Sequence, residues 1–143
     1  MQAQIIGRLD PATAPAVYYE AWVPAGFPSP AGDYQEQCLS LDDLVGLRAP
    51  HTYLVRVRGD SMIEAGIHDG DILVVDRSLE PRPGCIVIAH VHGELTVKTL
   101  RRDAAGGLWL VPANPDYAPL AVEPDSLEVW GVVTCNLHFH ARP

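Results

Sequence analysis

The pattern that most constrains this chain is a series of short runs rich in Val, Ile and Leu, separated by turn-forming pairs. The pairs Asp69-Gly70, His92-Gly93 and Gly106-Gly107 lie between runs, and His92-Gly93 has the form of a two-residue hairpin turn. The sequence therefore predicts a mainly β, compact and curled β-rich domain. The predicted strands are Tyr53–Arg58, Ile72–Val75, Ile86–Val91, Glu94–Leu100, Leu108–Val111 and Leu127–Val133.

The first 34 residues differ in character from the rest of the chain. Proline removes a backbone donor and interrupts strands, so residues 1–34 are predicted to form an extended N-terminal arm, and residues 35–143 the β-rich domain. A short helix is predicted near the start of that domain, ending before Pro50. The arm contains Pro11, Pro15, Pro24, Pro28 and Pro30. The predicted buried side of the helix consists of Leu41, Leu44, Val45 and Leu47.

The charge of the chain limits its partners. Its formal net charge is −8, and a surface of that sign is repelled by the phosphate backbone of DNA. No apolar run approaches the roughly 20 residues that span a bilayer. The first ten residues lack the basic and apolar regions of a signal peptide. We therefore expect a cytoplasmic protein with no membrane association and no direct sequence-specific DNA binding.

One serine stands in a position suited to chemistry. Gly59-Asp60-Ser61-Met62 directly follows a predicted strand, and a glycine there allows a sharp turn that presents Ser61. Most serines after a strand are turn or cap residues, so the position alone is weak evidence for a nucleophile. A serine nucleophile needs a base, which is most often histidine. None of the six histidines lies in a recognisable triad motif.

Lysine is the other available base, and the chain has one lysine, Lys98, beside nine arginines. Arginine cannot release its proton at accessible pH, whereas a buried lysine can. A lysine base must lose much of its charge near neutral pH, and burial lowers a lysine pKa by up to about 3–5 units. This requirement fits a rigid strand beside a dry cleft. The alternative is that Lys98 points outward from an alternating strand, and the strand pattern alone favours that alternative.

The histidines and aspartates offer little evidence for a metal site. His90 with His92, or His138 with His140, would share a face of a strand, but no carboxylate or thiolate completes a familiar ligand pattern. Asp69 and Asp71 could suggest a cation site, but the sequence Asp-Gly-Asp between strands is more often part of a turn. We expect no metal and no cofactor.

Six motifs follow one another along the chain: GDSM at residues 59–62, GIHDGD at 66–71, TVK at 96–98, VPAN at 111–114, YAP at 117–119 and WGVV at 130–133. In this order they resemble the LexA/UmuD-type self-cleaving peptidases. The resemblance runs from about residue 17 to residue 134. Upstream of these motifs, residues 25–31, AGFPSPA, resemble the cleavage region of the UmuD-type members.

The resemblance implies a catalytic pair and a cleavage site. Ser61 would be the nucleophile and Lys98 its base, and the bond cut would join Ala25 to Gly26. Backbone N–H groups of Asp60 and Ser61 are the implied donors to the oxyanion. Here the residue before the cut is Ala25, where UmuD-type proteins can have cysteine, and Pro24 adds stiffness beside it.

The resemblance also implies a biological setting. Such proteins are homodimers of the SOS response to DNA damage, and a RecA filament on single-stranded DNA stimulates their cleavage. The shortened form joins a Y-family (UmuC-like) polymerase subunit in translesion synthesis. Two alternatives are a non-catalytic polymerase-binding accessory module and a repressor-type self-cleaving regulator. The 25 residues before the proposed cut are too few for a DNA-binding domain, which disfavours a repressor.

Overall fold

A computed structural model of the protein describes residues 1–8, 17–20, 35–38 and 41–141, and for 17–20 and 35–38 it describes the backbone. Strands dominate these residues, as the sequence predicts. The one α-helix of the described part is α1, Leu41–Val45. The strands are β1 Gln2–Gly7, β2 Val17–Glu20, β3 Gln35–Cys38, β4 Thr52–Arg58, β5 Ile72–Asp76, β6 Ile86–Val91, β7 Glu94–Arg102, β8 Leu108–Val111, β9 Leu120–Val122 and β10 Glu128–Leu137.

Eight strands form one antiparallel sheet in the order β1-β4-β5-β10-β6-β7-β8-β9. The sheet curls until β1 also reaches β7, where Gln2 pairs with Thr96. The first six strands of the order thus close into a ring, and β8 and β9 extend beyond it. The predicted curled, mainly β fold is confirmed. Closure matters for the site, because it brings the end of β4 close to β7.

The strands bounded by clear turn chemistry match their prediction. β6 and β8 have the predicted bounds, and β4, β5, β7 and β10 lie where strands were predicted, each with somewhat different ends. His92 and Gly93 have φ angles of 50° and 80°, which are the positive values that a tight hairpin turn requires. The predicted two-residue hairpin between β6 and β7 is confirmed.

The N-terminal segment contains structure that the sequence pattern did not predict. β1 is a full member of the main sheet, antiparallel to β4 from Gln2↔Arg58 to Gly7↔Leu54. β2 and β3 pair with each other in a separate two-stranded sheet. The division of the chain at residue 34 stays a prediction.

The short helix is present, but the prediction of its buried side is wrong for two residues. Leu41 and Leu44 are 48% and 57% exposed. The buried helical residue is Asp42, whose carboxylate accepts a hydrogen bond of 2.6 Å from Arg48 Nε. Leu47, beyond the last turn, is buried as predicted. The helix therefore buries a different side from the one that the apolar spacing predicts, and the ion pair with Arg48 compensates the buried charge of Asp42.

Two groups of buried side chains fill the curled sheet. The first lies around Met62 and Ile67, next to the segment that carries Ser61, and the second lies between β6, β7, β8 and β10. Such packing fixes the strands that carry Lys98 and the turn that carries Ser61. None of the helices in the described ranges is long and apolar enough to cross a membrane. The first group is Val55, Val57, Met62, Ile67, Leu73, Val75, Ile88 and Val97, and the second is Val87, Ala89, Leu100, Leu110 and Val132.

Candidate active site

The turn after β4 places Ser61 inside the protein. Gly59 has a φ of 104°, a conformation that other residues rarely adopt, and its N–H donates to Asp69 Oδ1 at 2.7 Å. The chain then bends inward, so that Ser61 is 1% exposed and Met62 is completely buried. The glycine of the motif therefore has the structural role that the sequence analysis predicted for it.

A second segment holds the serine turn in place. The Ala113 N–H donates to Ser61 O at 2.8 Å, and Asn114 Nδ2 donates to Asp60 O at 3.0 Å. Tyr117 Oη donates to Asp60 Oδ1 at 2.6 Å. Sequence reasoning assigned no role to these positions, although VPAN and YAP were among the motifs of the resemblance. These three hydrogen bonds hold Asp60 and Ser61 in place.

Lys98 points toward Ser61 rather than outward from its strand. Its Nζ lies 3.2 Å from Ser61 Oγ. The same amine donates to Thr96 Oγ1 and to the carbonyl oxygen of Val97, both at 3.1 Å. The structure thus brings together the two side chains that the sequence singled out. None of the six histidines, all within the described residues, hydrogen-bonds to Ser61 Oγ.

Burial of the Lys98 amine shifts its protonation toward the neutral form. Desolvation lowers the Lys98 pKa below 10.5, and a hydrogen bond with the N-terminal amino group opposes that shift in part. A low dielectric disfavours the charged form of a base and so lowers its pKa. A lysine that acts as a general base needs a pKa lowered in this way.

The N-terminus lies directly against this pair of residues, and no sequence pattern pointed to it. The Met1 carbonyl oxygen accepts hydrogen bonds from Thr96 Oγ1 at 3.1 Å and from the Val97 N–H at 3.4 Å. Desolvation and the neighbouring Lys98 charge lower the pKa of the Met1 amino group to about 6. Through these contacts Met1 covers one side of the site.

A cleft of about 540 Å³ runs along β1 and β4, but neither Ser61 nor Lys98 lines it.

Two backbone donors near the serine are available to a ligand. The N–H groups of Asp60 and Ser61 donate to no other residue of the described part. These are the groups that the sequence analysis assigned to the oxyanion. Ala25 and Gly26, the predicted cleavage site, lie outside the described residues.

We expect Lys98→Met to raise the melting temperature near neutral pH by a few degrees. The pKa of Lys98 is lower in the folded chain than in the unfolded chain, so the unfolded chain binds more protons between the two values. The cost of burying the ammonium is therefore full below the folded pKa and disappears as pH rises toward 10.5. Methionine carries no such cost, and its advantage should shrink as pH rises.

Thermal unfolding of Lys98→Met and its parent at several pH values between about 6 and 10 measures this difference. Both chains should carry Ser61→Ala, so that neither can cut itself during heating. Arg56→Met, on the exposed side of β4, is the matched control and should show no gain that fades with pH. A Lys98→Met chain that melts below its parent at neutral pH would contradict the argument.

The structure places a buried serine hydroxyl beside a half-buried lysine amine, with backbone N–H donors at the same turn. Comparison with known proteins gives the family. The Peptidase S24-like family model matches residues 16–134, and this chain belongs to that family. Membership supports a serine peptidase of the self-cleaving kind.

Individual relatives cover most of the chain. Protein SamA of Salmonella typhimurium is 43% identical over 129 residues, which are 90% of this chain and 89% of SamA. Protein MucA of Escherichia coli is 45% identical over 125 residues, or 86% of this chain and 84% of MucA. The LexA repressor of Acidithiobacillus ferrooxidans is 47% identical over 116 residues, or 78% of this chain and 55% of that repressor. The resemblance to LexA/UmuD-type proteins is confirmed.

Proposed function

We propose that this protein cuts its own chain once, between Ala25 and Gly26, with Ser61 as nucleophile and Lys98 as general base. The observation that carries the proposal is the 3.2 Å contact between Lys98 Nζ and Ser61 Oγ. That distance is within reach of direct proton transfer between the two groups. Membership in the Peptidase S24-like family supports the same type of chemistry.

Each step of the reaction has a group to perform it. Neutral Lys98 takes the proton of Ser61 as Oγ attacks the carbonyl carbon of Ala25, and the N–H groups of Asp60 and Ser61 stabilise the oxyanion. The C–N bond then breaks, and protonated Lys98 returns the proton to the departing amine of Gly26. A water molecule attacks the acyl-enzyme, again with Lys98 as base, and releases the carboxylate of Ala25 and free Ser61.

The burial of the pair supports a reaction that is switched on rather than continuous. Ser61 is 1% exposed, and Lys98 is half-buried with Met1 against it, so solvent has little access to the serine in this state. A closed site is suited to one substrate that is already attached to the same chain. It also suits a protein that must stay intact until it is stimulated.

We assign the cleavage to the SOS response. A RecA filament on single-stranded DNA stimulates the cut, and the shortened chain 26–143 serves as accessory subunit of a Y-family translesion polymerase. The protein acts as a homodimer in the cytoplasm and makes no sequence-specific contact with DNA. The similarity to SamA and MucA, which covers 89% and 84% of those proteins, supports this assignment.

Incubation of the purified protein with a RecA filament, and alone at mildly alkaline pH, tests the proposal. We expect two fragments, residues 1–25 and 26–143, identified by intact mass and by the new N-terminus at Gly26. The filament should accelerate their appearance. Ser61→Ala should stay intact under the same conditions. A wild-type chain that stays intact throughout, or a cut at another bond, would overturn the proposal.

A further inference from the structure

We propose that His68, Asp71 and His138 form a binding site for a divalent transition-metal ion, with zinc as its occupant. His68 and Asp71 lie at the loop that enters β5, and His138 directly follows β10. The two strands are paired up to Leu137↔Ile72, which brings the three side chains together from distant parts of the chain. None of the three hydrogen-bonds to Ser61 or Lys98, so the site is separate from the serine and lysine.

The three side chains converge with the dimensions of a small ion site. One possible ligand atom from each residue lies within 4.8 Å of those of the other two. His138 Nδ1 is 2.6 Å from Asp71 Oδ1, and His68 Nδ1 is 3.7 Å from Asp71 Oδ2. Zinc bonds of about 2.0–2.1 Å place neighbouring ligands about 3.3 Å apart in a tetrahedron. His138 Nδ1 and Asp71 Oδ1 would therefore have to move apart by about 0.7 Å to admit the ion.

One of the three ligands lacks a partner in the described structure. His68 Nδ1 is buried and has no hydrogen-bond partner, although the ring as a whole is partly exposed. Buried polar atoms are almost always satisfied, so this atom needs an explanation. A metal ion between His68 and Asp71 would satisfy it.

Asp71 is held as a buried anion in a fixed orientation. Its side chain is 2% exposed. Burial alone would raise the Asp71 pKa, but hydrogen bonds from the His68 N–H, His138 and Asn136 outweigh burial and hold the pKa below its usual value. The His68 N–H at 2.8 Å and Asn136 Nδ2 at 3.0 Å both donate to Oδ2. Donors of this kind orient a carboxylate ligand and favour its charged form.

An ion pair between protonated His138 and Asp71 explains less of the geometry. It would satisfy Asp71 Oδ1 but leave His68 Nδ1 without a partner. It would also place a charged imidazole 4.4 Å, between ring centroids, from the second imidazole. Zinc uses both neutral imidazoles and the carboxylate at once, which is a familiar donor set for this metal.

Zinc titration of untagged, metal-free Ser61→Ala protein tests the site and does not depend on self-cleavage. We expect one zinc ion per chain, measured by calorimetry, and a rise in melting temperature with zinc. His68→Ala and His138→Ala should each lower the affinity at least about a hundredfold, because three protein ligands are needed to hold the ion. Cobalt in place of zinc should give the absorption bands of a tetrahedral site.

His90→Ala is the matched control, since His90 is a partly exposed histidine near Glu128, on β6 and away from the three ligands. It should leave zinc affinity unchanged. Absence of stoichiometric zinc binding in the parent chain would overturn the proposal. So would an equal loss of affinity in His90→Ala, or retention of full affinity in both His68→Ala and His138→Ala.

Discussion

Lys98→Arg is expected to slow self-cleavage by at least about a hundredfold at every accessible pH, because a positioned general base contributes about 10²–10⁴ to a rate. Arginine keeps the positive charge and still donates hydrogen bonds to Ser61, but it cannot become neutral and take the serine proton. The substitution therefore separates the need for a base from the need for a cation at this position.

The pH profile of the two chains provides the sharper measurement. In the parent, the cleavage rate should rise with pH and level off once the pH exceeds the Lys98 pKa, which burial lowers from 10.5. The Lys98→Arg chain should show no such rise. Arg102→Lys, at the exposed end of the same strand, is the control and should cut at the parental rate. A folded Lys98→Arg chain with parental speed would exclude Lys98 as the base.

The sequence predicted most of the main sheet because the turns between its strands are determined by the residues at the turns themselves. His92-Gly93 supplies two residues that tolerate positive φ, and the strands on either side need only each other to define their register. β1 could not be predicted in this way. Ile5 and Ile6 are 41% and 44% exposed, so the apolar residues of β1 do not mark a buried face. The strand conformation of β1 depends on its pairing with β4 and β7, which lie far along the chain.

Chemical reasoning from the sequence made the two central site residues plausible, and the resemblance to LexA/UmuD-type peptidases did most of the identification. Lys98 stood out as the single lysine of the chain, and the half-buried position of its amine agrees with the special surroundings that a base requires. The contact with Met1 had no such signal, because it depends on closure of the curled sheet. The same holds for His68 and Asp71, which the sequence analysis did not combine with His138.

Deletion of Gln2–Gln4 is expected to accelerate self-cleavage by about tenfold or more, with Ile5–Gly7 still paired to β4. The deletion shortens β1 by about 10 Å, at about 3.3 Å per strand residue, so Met1 no longer reaches Lys98. In the proposed mechanism the Ala25 carbonyl has to approach Ser61, and we expect a cover at Met1 to hinder that approach. A cover held in place by about 1.4 kcal/mol keeps the open form near a tenth of the population.

The time course of cleavage without the RecA filament is the relevant measurement, since stimulation would mask a difference in the closed state. Gln4→Ala is the matched control, because Gln4 is exposed and its replacement keeps the length of β1. Melting of both chains in the Ser61→Ala background checks that the rest of the sheet stays folded, since the deletion also removes Gln2, the residue of β1 that pairs with β7. Faster cleavage identifies Met1 as a cover over the site. A slower or unchanged rate in a folded chain would show instead that the N-terminus does not restrict access to Ser61, and closure would then have to come from another segment.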